Sequence, residues 1–112
     1  MSHRKDPRVP SSIKVSYSEL NGKSRETFTT TIGGGGCFII SNAPPSEGTP
    51  LQLEFTLPTH ERPFRVLGKV AWRRTEYQGD RPAGAGVAFQ NLTSQEKDAI
   101  RQYIDTVLSR KI

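Results

Sequence analysis

From Ile13 through Val15 to Tyr17, apolar residues alternate with polar ones, the period of a strand with one buried face. Asn21-Gly22 is a hairpin signal that returns the chain into a second strand, "RETFTTTI". Four consecutive glycines, Gly33 to Gly36, then interrupt before "CFII" resumes as a short strand. The segment "NAPPSEGTP" reads as a loop, because Pro and Gly punctuate it and residues before Pro avoid the helical region. Leu51, Leu53, Phe55 and Leu57 alternate cleanly, and "PTHERP" turns the chain. Phe64, Val66, Val70 and Trp72 share one parity of a long strand, which assigns Trp72 to the core; Gly68 on that strand marks a bulge or a close backbone approach. After the polar loop "TEYQGDRPAGA", Val87 and Phe89 face one side of a last strand.

The period then changes. Thr93 to Glu96, "TSQE", fits a capping box in which each residue satisfies a free amide at a helix start. Ile100, Tyr103, Ile104, Val107 and Leu108 follow the spacing of one apolar helix face, which packs on the strands. Arg110 and Lys111 suit the negative pole of that helix. The periods together describe an all-β domain with one helix: a small antiparallel sheet or barrel closed by a C-terminal helix.

Length and charge sharpen this picture. With 112 residues the chain forms one domain around a single modest core. A net charge of +5 and a pI near 9.7 favour anionic partners. The single Cys37 allows no internal disulfide, and the charged opening "MSHRKDPRVP" lacks the apolar region of a secretory signal. The expected compartment is the cytoplasm, with no membrane insertion.

The residues argue against catalysis. His3 and His60 stand without Cys or carboxylates at metal-ligand spacing, so no metal is expected. Cys37 enters a strand among apolar neighbours and reads as a buried structural thiol. The carboxylates are scattered, with no acid/base pair. No Lys-Ser/Thr follows the glycines, so they do not form a phosphate loop. The expectation is a protein that is not an enzyme and needs no cofactor.

Two features remain: "RKDPR", with Arg4 and Arg8 four apart, and the glycine run in "TIGGGG". Together with "GKVAWR" and "GVAFQNL", in that order, they make the chain resemble a PilZ domain, the bacterial module known as a receptor for cyclic di-GMP. The family pattern is R-x-x-x-R, then D/N-x-S-x-x-G before a short strand, then G-x-V-x-W, then a G-V-x-F strand and a terminal helix. The resemblance runs from Arg4 to about Ile104 and implies a six-stranded antiparallel barrel with a helix across one end. It implies a flexible N-terminal arm over residues 1–12, carrying Arg4 and Arg8, ahead of a barrel and helix over residues 13–112.

The ligand-binding residues implied by the resemblance are Arg4, Arg8, Thr31, Gly33 and Gly36. An arginine fork matches guanine O6 and N7, binds phosphate oxygens and stacks on a base, and Lys5 adds attraction. Gly36 matches the final motif glycine, where a bulky side chain would block the ligand, and Gly34 and Gly35 take variable positions. The sequence departs from the pattern at Thr31, where the family has Asp or Asn, and at Gly33, where it has Ser.

The resemblance therefore implies a cyclic di-GMP receptor or adaptor that regulates motility or surface behaviour through a protein partner. A second reading is a degenerate adaptor of the same fold that does not bind cyclic di-GMP and acts by protein–protein interaction. A third is a basic β-barrel that binds single-stranded nucleic acid. It has only Arg73, Arg74 and Tyr77 as an exposed basic and aromatic cluster, and no nucleic acid partner is expected.

Overall fold

Alternating apolar residues set most of the strands, and bulges decide where that alternation fails. The computed structural model describes residues 8–109. Its elements are β1 (Arg8–Pro10), β2 (Lys14–Glu19), β3 (Arg25–Gly33), β4 (Gly36–Ile40), β5 (Pro50–Phe55), β6 (Phe64–Arg74), β7 (Gly84–Gln90) and α1 (Ser94–Ser109).

Strands β3, β2, β5, β6, β7 and β4 pair in that order, all antiparallel, and β4 pairs back onto β3. The result is a closed six-stranded barrel, which leaves few open sheet edges. Strand β3 closes it by dividing its length. Arg25 to Phe28 pair with β2, whereas Thr29 to Gly33 pair with β4.

Residues 8–10, expected within the arm, form the short seventh strand. β1 lies along β3 with Arg8 opposite Gly33, Val9 opposite Ile32 and Pro10 opposite Thr31. Val9 is buried in the core while Arg8 and Pro10 face out. Three residues ending in Pro are too few to show a period, so pattern alone does not reveal this strand. The link from β1 to β2 is fixed by Thr29. Its buried hydroxyl oxygen accepts from the Ile13 amide at 3.1 Å and hydrogen-bonds the Ser11 hydroxyl at 2.7 Å.

The core holds Val15, Ile32, Ile39, Leu51, Leu53, Val66, Val70 and Val87 from the strands and Leu57 from the segment after β5. Ile100, Tyr103 and Ile104 of α1 close over it, and α1 packs against β1 and β3. Val107 borders the core, but Leu108, assigned to the same stripe, remains exposed. The capping box forms as expected: the Glu96 amide donates to Thr93 Oγ1 at 3.1 Å and the Thr93 amide to Glu96 Oε1 at 2.9 Å.

Two local differences from the sequence reading matter. At Asn21-Gly22 the turn centres on Leu20 and Asn21, with the Gly22 amide donating to the Glu19 carbonyl at 3.0 Å, and strand pairing resumes only at Tyr17 and Arg25. On β6, Val70 pairs with Val87 but Trp72 pairs with Gly86. That bulge inserts Ala71, and the parity that buries Val66 and Val70 no longer applies beyond it. Trp72 is therefore not a core residue: it stands on the outer surface, 44% exposed. Gly68 marks a close approach, since a Cβ there would press on the Val87 and Leu53 side chains.

Candidate functional site

Strand register places the motif residues on one outer face. Arg8 lies opposite Gly33, Gly33 opposite Gly36, Gly36 opposite Ala88, and Ala88 opposite Lys69. The neighbouring row runs from Pro10 through Thr31, Phe38 and Gly86 to Trp72. Four of the five site residues expected from sequence, Arg8, Thr31, Gly33 and Gly36, thus fall in one patch. Arg4, the fifth, lies outside the described residues, as does Lys5. Arg8 Nη2 donates to Thr31 Oγ1 at 2.9 Å, which ties the guanidinium to the barrel wall.

The glycine run has separable local causes. Gly34 and Gly35 form the two-residue turn between β3 and β4. A Cβ on Gly35 would meet nothing within 4 Å, and its carbonyl accepts from the Phe89 amide at 2.9 Å. Gly36 is different: a Cβ there would collide with the carbonyl oxygen of Val87 on the adjacent strand. Close approach of β4 to β7 therefore demands glycine at this position whatever binds outside.

Beyond this bare floor stands an aromatic wall that parity reasoning missed. Trp72 and Phe38 pack with ring centroids 5.2 Å apart and planes inclined by 31°. The Arg74 guanidinium sits 5.1 Å from the Phe38 ring and 5.2 Å from the Trp72 ring, and its Nη1 donates to the Pro82 carbonyl at 2.7 Å. Side-chain-free backbone makes room for both rings: a Cβ on Gly84 would strike Phe38, and one on Gly86 would strike the indole of Trp72. The signal was present as "GAG" at Gly84 to Gly86, where alternate glycines on a central strand mark a surface that something else covers.

Arg8, Gly35, Gly36, Trp72, Gly86 and Ala88 line a shallow depression of about 120 Å³. It offers an exposed indole, a guanidinium and a floor rich in glycine and alanine. These groups suit a flat, anionic ligand: the indole for stacking, the guanidinium for phosphate or a base edge. Larger hollows of about 460 and 590 Å³ lie on the outer face of β2 and β5, where Ser16, Ser24 and Glu54 line both. Charges there are already paired, Lys14 Nζ with Glu26 Oε1 at 3.3 Å and Arg65 Nε with Glu54 Oε1 at 3.4 Å. They leave little field for an anion.

Beneath the depression Cys37 points into the barrel. Burial pushes its thiol up to about 12, only partly offset by the nearby Arg8 charge. The thiolate form, which nucleophilic or metal chemistry needs, is thus strongly disfavoured. Among the described residues no three His, Cys, Asp or Glu side chains gather as a metal site, and no helix is long and apolar enough to cross a membrane.

Known structures share this architecture. The Bacillus subtilis inhibitor of motility MotI/DgrA superposes with a TM-score of 0.80 at 14% identity, over 100% of this chain and 55% of that one. YcgR from Escherichia coli in complex with c-di-GMP gives 0.75 at 13% identity, over 95% of this chain and 46% of that one. The K. pneumonia MrkH–c-di-GMP complex gives 0.73 at 16% identity, over 100% of this chain and 56% of that one. The chain spans about half the length of these proteins, and at such identities the likeness is one of fold. No curated protein sequence matches the chain. The PilZ domain family matches residues 2–106, nearly the whole length, with the arginine motif at one end and α1 at the other; the chain belongs to the PilZ domain family.

Proposed function

We propose that this chain is a cyclic di-GMP receptor module that passes ligand occupancy to a protein partner, without catalysing a reaction, in the bacterial cytoplasm. The observation that carries the reading is the Arg8–Thr31 hydrogen bond, which holds a guanidinium beside the depression that Trp72 also borders. Arg8 supplies charge for a phosphate or a fork for guanine, and Trp72 offers its exposed face to a purine. Arg4 adds a second guanidinium from four residues upstream. Two of the structural neighbours, YcgR and MrkH, were solved with c-di-GMP bound, and a third is an inhibitor of motility. These support a messenger-dependent role in motility or surface behaviour.

Isothermal titration with cyclic di-GMP on wild type, Arg4→Ala, Arg8→Ala and Trp72→Ala tests the reading. Saturable binding that weakens at least tenfold in both arginine variants is expected. Tight binding that survives both arginine changes would remove the site assignment.

Thr31 and Gly33 favour a second reading, an adaptor that has lost the ligand. A single hydroxyl replaces a carboxylate or amide, and Gly33 offers no side chain. Losing a two-point base contact costs about 1–3 kcal/mol, and losing an ordinary hydrogen bond about 0.5–1.5 kcal/mol. On this reading a partner binds equally with and without nucleotide. A silent wild type, together with binding by the Thr31→Asp, Gly33→Ser double variant, identifies the adaptor.

A further inference from the structure

The geometry points to a site that selects cyclic purine dinucleotides by phosphate charge and purine face while discriminating little between guanine and adenine. This rests on the receptor reading above and concerns what that receptor distinguishes.

Guanine presents two adjacent donors, N1–H and N2–H₂, on its Watson–Crick edge. Adenine presents an acceptor, N1, beside the N6 donor. Reading guanine by that edge takes a two-point acceptor, which Asp or Glu supplies and a single hydroxyl does not. Among the described residues the depression is lined by Arg8, Trp72, Cys37, Val87, Gly and Ala, with no Asp, Glu, Asn or Gln. The polar side chain hydrogen-bonded to Arg8 is that of Thr31.

Thr31 is moreover already engaged. Its Oγ1 accepts from Arg8 Nη2 at 2.9 Å, which occupies one of two acceptor positions and leaves the hydroxyl hydrogen free to donate. A free donor meets guanine's two donors poorly and meets adenine N1 well. The one remaining lone pair still accepts a single bond from guanine, so neither base is excluded. What is lost is the charge-assisted pair of bonds that separates them.

The same contact leaves the site more cationic than a carboxylate would. An acid at position 31 would pair with Arg8, whereas the neutral hydroxyl orients the guanidinium and keeps its full charge. Phosphate attraction and stacking on Trp72 are common to both purines. Arg8 retains further N–H groups, which serve phosphate oxygens of either ligand; a fork on guanine O6 and N7 is the competing use, and the experiment separates the two.

Titration calorimetry at one ionic strength compares cyclic di-GMP with its adenine counterpart, cyclic di-AMP, on wild type, Thr31→Asp, Thr31→Asn, Arg8→Lys and Asp6→Asn. The readout is the ratio of the two dissociation constants, which a uniform loss of affinity or stability does not move. Expected is a wild-type ratio below about thirtyfold, the upper reach of one two-point base contact being roughly a hundredfold. Thr31→Asp widens the ratio at least tenfold in favour of guanine. Thr31→Asn, which supplies a carbonyl acceptor without charge, widens it less and stands in if the aspartate variant does not fold. Asp6→Asn, which removes the acid preceding Arg8 in sequence, leaves it unchanged.

A wild-type preference for cyclic di-GMP of thirtyfold or more overturns the inference and leaves the receptor standing. A ratio that collapses in Arg8→Lys or Asp6→Asn overturns it as well, by assigning base reading to that side chain. An unchanged ratio in both Thr31 variants overturns the role given to Thr31. If neither dinucleotide binds wild type, the receptor reading itself falls.

Discussion

The indole of Trp72 lies across the bare backbone of Gly86, so that a Cβ at residue 86 would overlap the indole Nε1 and Cε2 atoms. The two residues face each other directly in the β6–β7 register, and Phe38 faces Gly86 from the other side. Two glycines on a central strand thus seat the two rings, Gly86 that of Trp72 and Gly84 that of Phe38.

Gly86→Ala displaces Trp72 from this seat. Overpacking of this kind costs about 1–3 kcal/mol, softened here because the indole is exposed on its outer side. Trp72 is the only tryptophan in the chain, so fluorescence reads its position without interference. The expected result is a red-shifted emission with a lower denaturation midpoint and, on the receptor reading, weaker ligand binding. Unchanged emission would mean that the ring does not rest on Gly86.

The glycine run separates into positions with opposite tolerances. Gly36→Ala forces a methyl group against the Val87 carbonyl and must part β4 from β7. The expected cost is about 1–3 kcal/mol or more. Gly35→Ala meets open space, and Gly35 is not among the residues with positive φ. There the loss of unfolded-state freedom stabilises by about 0.4–1 kcal/mol. Urea denaturation of the two variants should therefore move in opposite directions.

Cys37 gives the fold a defined alkaline limit. The unfolded thiol titrates near 9 and the folded one near 12, because burial disfavours the charged form. Between these values the unfolded chain has released a proton that the folded chain keeps. The unfolded state then binds fewer protons, so stability falls as pH rises, by up to about 1.4 kcal/mol per pH unit. Below pH 9 this contribution is fully present. Cys37→Ala lowers stability at neutral pH through lost packing but shows a shallower decline above pH 9, which denaturation across the alkaline range measures. In wild type the thiol reacts with a disulfide reagent only as fast as the barrel opens.

The barrel and helix were legible because their residues obey a single period over long runs, as from Leu51 to Leu57 and from Ile100 to Ile104. What escaped the pattern depends on breaks in that period. The bulge at Ala71 sends Trp72 outward, and nothing within "GKVAWR" marks it. Strand β1 is too short to declare itself, although its burial of Val9 fixes where Arg8 can stand. The adjacency of Arg8 and Thr31, 23 positions apart in the chain, is likewise set by register between strands. Sequence named both residues through family resemblance; their hydrogen bond comes from topology.

Val9 is where fold and site meet. Its side chain is only 1% exposed, in the core beside α1, while the preceding residue carries the guanidinium of the candidate site. Strand β1 has only three residues, so this single apolar anchor adds to the backbone pairing and the Arg8–Thr31 hydrogen bond that order it against β3. Val9→Ala removes two methyl groups from that contact, with an expected loss of about 1–3 kcal/mol. Because β1 sits at the edge of the barrel, the loss falls partly on local order as well as on global stability. Amide exchange should quicken at Ile32 and neighbouring β3 amides relative to β5, and Arg8 should lose its fixed contact with Thr31. On the receptor reading, ligand affinity then drops although no side chain of the candidate site has changed, since binding must reorder β1 first. An equal loss of affinity and of global stability in Leu53→Ala, a core change on β5 far from Arg8 in sequence, would show the effect to be general softening; the expected result is that Leu53→Ala destabilises the barrel at least as much while weakening binding less.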